Sequence, residues 1–271
     1  MVVSKRNAAV LLAVIIAAVG LRPAEAAVDR CLAIASAPDI PYLQPVGARA
    51  GALKPSEVEI TFIGHATFLI ESARGVRVAT DYNDYVRPPV IPEIATMNRA
   101  HSSHFTDAPP LGIKHVLRGW NPEGGPAKHD VEMKDVHVRN VATNIRDWGG
   151  GVGAYGNSIF IFEIAGLCIG HLGHLHHTLT PEQLAQVGQL DVVMVPVDAG
   201  YTMDLGGMIE VLKAMKPRLI LPMHYFGTFT LNRFLERVRS EWPVDHSATN
   251  RIVVSHETLP ADTKILILPG L

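Results

Sequence analysis

Apolar and polar residues alternate along short segments in the first half of the chain, a pattern that predicts β-strands. The first such segment covers 58–63, alternates with a period of two and ends at Gly64. Two more follow, separated by the turn-forming pair Arg74-Gly75, so a β-meander is expected to end at Asp81. The strands predicted in this half are 58–63, 68–71, 76–80, 116–118 and 136–141.

The second half of the chain has longer apolar runs that alternate with helical patterns. Thr180, Pro181 and Glu182 form a typical helix start, with a threonine cap and proline at the first helical position. We predict helices over 208–215 and 231–238, and strands over 158–164, 167–169, 190–197, 218–223, 252–255 and 265–268. The glycine-rich residues 149–156 are predicted to form an irregular loop. Meanders followed by strand–helix alternation favour a mixed α/β fold built in layers.

Composition limits the possible functions. The chain has 271 residues, of which 48% are hydrophobic, enough for one large domain with a substantial core. The formal net charge is −2 and no Lys/Arg-rich run is present, so nucleic-acid binding is not expected. The 13 histidines stand out, because histidine is the commonest metal ligand.

The N-terminal residues have the features of an export signal. Lys5 and Arg6 precede an apolar run over 8–19, and Ala24-Glu25-Ala26 is a small-x-small cleavage site. The run is shorter than the ~20 residues of a membrane span. We therefore predict export to the periplasm or medium with no stable membrane span after cleavage, although an uncleaved anchor is the alternative. The predicted organisation is a signal peptide over 1–26, an irregular Pro-rich extension over 27–55 and one domain over 56–271.

The two cysteines are predicted to be free thiols. Cys31 lies in the extension, whereas Cys168 lies inside an apolar strand, where a buried thiol behaves as a small hydrophobic residue.

Histidines follow several predicted strands directly. His171, His174, His176 and His177 come just after the strand 167–169, and His224 ends the strand 218–223. His101 and His104 form a further group among small residues. Ligands need rigid supports, and the loop beyond a strand is such a place, so the pattern predicts a metal site rather than solvated loop histidines. The remaining histidines, His115, His129, His137, His246 and His256, are expected to be ordinary surface residues.

Several segments, taken in order, resemble the lactonase-like branch of the metallo-β-lactamase superfamily. Residues 60–70 resemble its opening strand–turn–strand, and Asp81 its strand-end aspartate. Residues 171–180 are similar to its His-Leu-Gly-Asp-Leu-Gly-His-x-Leu-Thr stretch, 196–204 to its Pro-x-Gly-Gly-x-x-Thr segment, and 222–225 to its Pro-x-His-Tyr. The resemblance spans residues 57–230 and implies a four-layer αββα sandwich with metal bound between the edges of two sheets.

The departures from that family change the expected metal site. Residues 99–104, aligned with the family's His-x-His-x-Asp-His, have Arg99 and Ser103 in place of a histidine and the aspartate. His174 replaces the bridging aspartate, and 143–147 lack another expected histidine. One ion, with Zn²⁺ expected and other divalent metals possible, is therefore predicted rather than two. The predicted ligands are His101, His104, His174 and His224.

Whether the site is open or closed is left undecided by the sequence. If three histidines bind, water takes the fourth position and becomes acidic enough to act as a nucleophile; if all four bind, the site is closed and structural. The residues expected to support the ligands are His65, Asp81 and His177, although a structural role in a turn is the alternative for His65. A ligating imidazole needs an acceptor for its other N–H, and Asp81 at a strand end is the natural one.

The leading functional hypothesis is an exported metal-dependent hydrolase of a small-molecule lactone, ester, amide or phosphoester, acting through metal-bound water. Predicted contributors to the chemistry are Arg99, Arg146, Tyr225 and His171. The alternative is a non-catalytic protein of the same fold that binds a metal or a ligand, and a metal store using the dense 171–177 histidines is a third possibility.

Overall fold

Two β-sheets form the centre of the protein, in a computed structural model that describes residues 31–32, 52–147 and 149–270. The strands, in chain order, are β1 (Val58–Gly64), β2 (Thr67–Ser72), β3 (Arg77–Ala79), β4 (Ile94–Met97), β5 (His115–Arg118), β6 (Asp130–Met133), β7 (Val136–Arg146), β8 (Val152–Ile164), β9 (Leu167–His171), β10 (Val192–Pro196), β11 (Leu219–Met223), β12 (Val244–His246), β13 (Arg251–Val254) and β14 (Lys264–Ile267).

The six-stranded sheet has the order β13-β1-β2-β3-β4-β5, and the eight-stranded sheet has the order β12-β14-β11-β10-β9-β8-β7-β6. The meander predicted from the alternating residues is β1 to β3, paired antiparallel. In the second sheet β9, β10 and β11 are parallel neighbours. Their carboxyl ends therefore meet at one edge, which is where ligands collect in parallel sheets.

The main core lies between the two sheets, because every second residue of a strand points to the same side. Phe62 and Phe68 from the first sheet pack with Phe160, Phe162 and Met194 from the second. The intervening residues of the second sheet, such as Ile159, Ile161 and Val193, face the opposite way into a second core.

Three helices cover that outer face of the eight-stranded sheet: α1 (Pro181–Val187), α2 (Leu205–Met215) and α3 (Thr228–Val238). Thr180 and Gln183 form the capping box expected at the start of α1. The outer face of the six-stranded sheet is covered by loops and by a 3₁₀ turn, Ser102–His104, with Phe105 and Trp120 packed against it. The architecture confirms the predicted mixed α/β sandwich. No helix in the described ranges is long and apolar enough to span a membrane.

Some predicted elements differ from the structure. The glycine-rich residues were expected to form an irregular loop, but β8 already begins at Val152. Gly153 and Gly156 lie against Ile145 of β7, and a Cβ on either would come within 2.9 Å of its side chain. These glycines therefore allow two strands to approach closely, which is a recognised use of glycine within a strand.

The prediction that both cysteines are free is wrong. Cys31 and Cys168 form a disulfide, with their Cα atoms 5.9 Å apart. Cys168 lies on the helix-covered face of the second sheet, where Cys31 packs in the same apolar cluster. The carbonyl of Cys31 accepts a hydrogen bond from the N–H of Gln189, which holds Cys31 against the loop between α1 and β10. The predicted signal peptide, its predicted cleavage site and most of the predicted extension lie outside the described residues.

Candidate metal centre

Four histidine side chains meet at the edge where the parallel strands end. His224 directly follows β11, His174 follows β9, and His101 and His104 come from the turn after β4. One ring nitrogen from each lies within 4.8 Å of the others. These are the four residues that the sequence analysis named as ligands, and the structure places them together.

The cluster is mostly enclosed. His104, His174 and His224 are fully buried, whereas His101 is half-buried. A buried polar group needs a hydrogen-bond partner, because without one the full free-energy cost of its desolvation remains uncompensated. The partners of the four rings therefore define which nitrogens carry protons.

Two of the rings are held by buried carboxylates. Nδ1 of His104 lies 2.6 Å from Oδ2 of Asp81, and Nδ1 of His224 lies 3.0 Å from Oδ1 of Asp198. Burial raises the pKa of Asp81 to about 6, which still leaves it ionised at neutral pH. Burial also opposes ionisation of Asp198, but hydrogen bonds from His224 and Thr202 hold its pKa well below its usual range.

The carboxylates leave two lone pairs facing each other. A carboxylate can only accept, so each histidine donates from Nδ1, and in its neutral form it keeps the lone pair on Nε2. The Nε2 atoms of His104 and His224 lie 3.0 Å apart. A proton between them is disfavoured, because burial holds the pKa of His104 well below its ordinary value. Two lone pairs that face each other at this distance repel unless a cation lies between them.

The other two rings are supported differently. Nε2 of His101 lies 2.6 Å from Nε2 of His174, and Nδ1 of His174 lies 2.6 Å from Nε2 of His176. The remaining nitrogen of His176 accepts the backbone N–H of Arg146. These rings are therefore linked to one another and to the backbone of β7 rather than to carboxylates.

A cavity of about 460 Å³ opens on this second pair. Its lining includes Arg99, His101, Arg146, His174, His176 and Tyr201. Arg99 is exposed, whereas Nη2 of Arg146 donates to the carbonyls of Gly200 and Thr202 at 3.0 and 2.9 Å. Arg99 can therefore present its charge directly to a molecule that enters the cavity. Arg146 would first have to break its hydrogen bonds to the backbone.

Aromatic side chains form a rim beside the cluster. Tyr201 and Phe226 are 58% and 63% exposed, although large aromatic residues are ordinarily well buried. Their ring centroids are 5.6 Å apart, and each ring also lies against a histidine of the cluster. The rim offers an apolar surface next to the metal-binding nitrogens.

The backbone is left-handed at three residues that form or surround the cluster. His65 has φ 53°, Asp81 has φ 41° and His224 has φ 56°. Non-glycine residues adopt this conformation rarely and at a cost, and such residues concentrate at functional sites. The N–H of His224 donates to the carbonyl of His65 at 2.7 Å, so two of these strained positions support each other.

The structure places the other predicted site residues outside the cluster itself. Both nitrogens of His171 are engaged by backbone, Nε2 with the carbonyl of Ala66 and Nδ1 with the N–H of Gly173. The hydroxyl of Tyr225 donates to the carbonyl of Leu268 at 3.3 Å. His171 and Tyr225 are therefore both hydrogen-bonded to backbone groups, and their part in the chemistry stays a prediction.

Of the predicted supporting residues, Asp81 contacts His104 as expected. Nε2 of His65 lies 3.1 Å from the hydroxyl of Ser103, with its ring 4.2 Å from that of His224. His177 is further out, with its ring centroid 6.3 Å from that of His176. The supporting roles of Asp198 and His176 were not predicted from the sequence. A strand-end signal existed for Asp198, which follows the apolar run of β10 as Asp81 follows β3.

Comparison with known proteins gives consistent matches. The family model of the beta-lactamase superfamily domain matches residues 59–224, a range that contains all four clustered histidines. A UPF0173 metal-dependent hydrolase of Archaeoglobus fulgidus is 25% identical over 198 residues, which are 64% of this chain and 85% of the relative.

Solved structures agree with that match. A Thermotoga maritima protein described as a candidate Zn-dependent hydrolase of the metallo-beta-lactamase superfamily has a TM-score of 0.57 at 26% identity, and the match covers 79% of this chain and all of that one. The metallo hydrolase Igni18 of Ignicoccus hospitalis has a TM-score of 0.54 at 18% identity, over 79% of this chain and 97% of that one, which shows a shared fold.

Proposed function

Because the chain belongs to the beta-lactamase superfamily domain family, we propose that it is a metal-dependent hydrolase whose four-histidine cluster is the binding site of one divalent metal ion. The observation that carries the proposal is the close approach of Nε2 of His104 to Nε2 of His224, 3.0 Å apart and buried, with a carboxylate behind each ring. The names of the Archaeoglobus and Thermotoga relatives support both the metal dependence and the hydrolase chemistry.

The residues present fit Zn²⁺. Neutral imidazoles are good ligands for zinc, and structural and catalytic zinc sites use three or four protein ligands. His104 and His224 each have the carboxylate behind them that fixes a ligating imidazole in the correct tautomer. Within the described ranges a single group of such side chains is arranged for a metal, which supports one ion rather than two.

The substrate is proposed to be a small lactone, ester, amide or phosphoester. When bound, the ion supplies a Lewis acid that polarises the substrate and makes water acidic enough to attack. The cavity admits the substrate on the side of His101 and His174. Arg99 supplies positive charge for an anionic group or a developing oxyanion, and Tyr201 contributes an apolar surface.

Metal analysis combined with a hydrolase screen tests this function. Purified protein is expected to hold about one tightly bound divalent ion per chain, as a single ligand cluster dictates. His224→Ala should lose the ion and any esterase, lactonase, amidase or phosphodiesterase activity found. His246→Ala is the matched control, because His246 is an exposed histidine of β12 and should keep both.

Three results would contradict parts of the proposal. Two tightly held ions per chain would contradict the single site, and retention of metal by His224→Ala would contradict the cluster as the site. Metal binding with no turnover across the screen, in protein that keeps its ion throughout, would favour the non-catalytic alternative.

We also propose that the protein is exported to the periplasm or the medium. The signal-like N-terminus is one support, and the Cys31–Cys168 disulfide is a second, because such bonds persist mainly in oxidising compartments. Mass spectrometry of the protein from an extracytoplasmic fraction should find a chain that begins at Ala27 with no free thiol. Full-length chain confined to the cytoplasm, with both thiols free, would contradict this proposal.

A further inference from the structure

A chain of hydrogen bonds lies behind His174 and starts from the protein backbone. The N–H of Arg146 points at Nδ1 of His176. Nε2 of His176 lies 2.6 Å from Nδ1 of His174, and Nε2 of His174 lies 2.6 Å from Nε2 of His101. A backbone N–H can only donate, so the first bond of the chain has a fixed direction.

That direction sets the proton positions of the rings that follow. Nδ1 of His176 accepts from Arg146, so a neutral His176 carries its single proton on Nε2 and donates it to Nδ1 of His174. A neutral His174 must then carry its own proton on Nε2, the nitrogen that points into the cluster. Both rings are neutral in this arrangement, because a doubly protonated imidazole has no lone pair and its Nδ1 could not accept the hydrogen bond that it receives here.

The remaining nitrogens of the cluster have the opposite character. Asp81 and Asp198 leave lone pairs on Nε2 of His104 and His224. Nε2 of His101 faces the N–H of His174, so it is an acceptor as well. The cluster therefore contains three lone pairs, which can bind a cation, and one N–H, which cannot.

We infer that His174 is a hydrogen-bond donor and not a metal ligand, and that the metal is held by His101, His104 and His224 alone. This inference rests on the proposed function and decides between the open and closed forms of the site in favour of the open one. Once the lone pair of His101 is taken by a metal ion, the Nε2–H of His174 would lose that acceptor, and because His174 borders the cavity it could then donate to an oxygen atom of substrate or water. His176 is a positioning residue, because it holds that N–H in place from behind.

The arrangement has a clear chemical use. Hydrolysis of an acyl or phosphoryl group builds negative charge on an oxygen atom of the substrate, and a donor fixed beforehand stabilises that charge without reorganisation. His174 would make this contact and would not give up its proton in doing so. The same residue stands where the resembled family has its bridging aspartate, so one substitution removes a metal-holding carboxylate and supplies a hydrogen-bond donor.

Cobalt titration of variants tests the inference. Each variant is first checked for native near-UV circular dichroism, then titrated with Co²⁺ while its visible absorption is recorded, and its Zn²⁺ affinity is measured by competition with a chelator. His104→Ala and His224→Ala should lose binding by more than a hundredfold, as expected for lost ligands. His174→Ala and His174→Gln should bind within about tenfold of the wild type, the lower limit for an indirect contribution.

A converse variant makes the test sharper. His176→Glu places an acceptor where a donor now faces Nδ1 of His174, so the proton of His174 should move to Nδ1 and free the lone pair on Nε2. The Co²⁺ spectrum of this variant is expected to show an additional nitrogen ligand, and metal affinity should rise. His176→Gln retains a donor and should keep the spectrum of the wild type.

The outcomes separate the two proposals. Loss of metal by folded His174→Ala and His174→Gln, to the extent seen for His224→Ala, would overturn the inference and leave the metal site standing as a closed one. An unchanged spectrum in folded His176→Glu would also count against it. Failure of the wild type to bind metal, or retention of metal by His224→Ala, would instead remove the proposed function on which the inference depends.

Discussion

The two halves of the histidine cluster are built on different principles. The carboxylate-held half consists of His104 and His224, each fully buried and each hydrogen-bonded to an aspartate. The cavity-facing half consists of His101 and His174, supported by His176 and by a backbone N–H. The first half directs two lone pairs inward, whereas the second directs one lone pair and one proton.

This difference shows that a histidine's role is set by the group behind it. A carboxylate behind Nδ1 makes Nε2 a ligand, whereas a donor behind Nδ1 makes Nε2 a donor. Counting histidines that converge on one point is therefore insufficient to count the ligands of a site. The partners one layer further out must be known as well.

Gly173 lies between the supports of both halves, and its substitution should have the largest effect. A Cβ at this position would lie 2.4 Å from the side chains of Asn98 and Asn157, and φ is +60°. Asn98 donates to Asp81, and Asn157 accepts from the N–H of His174. Gly173→Ala is expected to lower the free energy of unfolding by about 3 kcal/mol, from overpacking and from the left-handed backbone, and to weaken metal binding.

Gly75→Ala is the matched control for Gly173→Ala. Gly75 also has a positive φ, +71°, but a Cβ there meets nothing within 4 Å. It should lose only about 1 kcal/mol in a urea unfolding experiment, the cost of the backbone conformation. Equal losses in the two variants would mean that the two asparagines do not constrain Gly173.

The carboxylate-held half can be broken without changing its shape by Asp198→Asn. The two carboxylate oxygens accept from His224 on one side and from backbone N–H groups of Gly200 and Tyr201 on the other. An amide can accept on only one side, so its NH₂ group should face His224 and force the ring proton onto Nε2. Metal affinity is expected to fall about 10–100-fold.

Asp204→Asn provides the control for the loss of one carboxylate charge nearby. Asp204 caps α2 by accepting from the N–H of Gly207, a role that asparagine fills equally well. Metal affinity measured by chelator competition should not change in this variant. A similar fall in both variants would indicate that net charge, and not the direction of the His224 proton, controls binding.

The convergence of the four histidines could be predicted from sequence, because strand ends are recognisable locally. His171 and His224 end apolar runs, and the parallel order of β9, β10 and β11 brings such ends to one edge. The fold followed from the same periodicities together with the family resemblance. Strands with weak alternation, such as β6 and β12, were missed because edge strands carry little of the pattern that burial imposes.

Features that depend on contacts between distant segments could not be predicted in this way. The disulfide joins residues separated by 137 positions. It can form because the side chain of Cys168 faces the helix-covered side of the sheet, where Cys31 packs. The proton on His174 is fixed by Arg146, 28 positions earlier in the chain, and only through His176. Local sequence patterns contain no information on such side-chain directions.

The cavity-facing half can be loosened by Arg146→Met, with a smaller effect. The guanidinium donates to carbonyls of the 200–202 loop, whereas the backbone N–H of Arg146 is kept in the variant. The loss of these partly exposed bonds should cost about 1 kcal/mol of unfolding free energy. Metal affinity should stay unchanged, and loss of metal would show that the side chain supports the cluster directly. Arg99→Met, which removes an exposed charge from the same cavity, should not affect stability measurably.

His137 extends the comparison to a histidine with two carboxylates, and the expected effect is the smallest. Its ring nitrogens lie 2.6 Å from Asp130 and 3.4 Å from Glu163. Hydrogen bonds to Glu163 and, to a smaller extent, to Asp130 raise the pKa of His137 to about 9, although burial acts in the opposite direction. The folded pKa lies above the unfolded value, so the stabilisation is complete below about pH 6.5 and is lost as the pH rises through about 9. Because this site is partly exposed to solvent, the contribution should be only about 1 kcal/mol or less. Urea unfolding of the wild type and of His137→Asn at pH 6 and pH 10 should show a difference in stability that shrinks at the higher pH, and a constant difference would mean that His137 is neutral in both conditions.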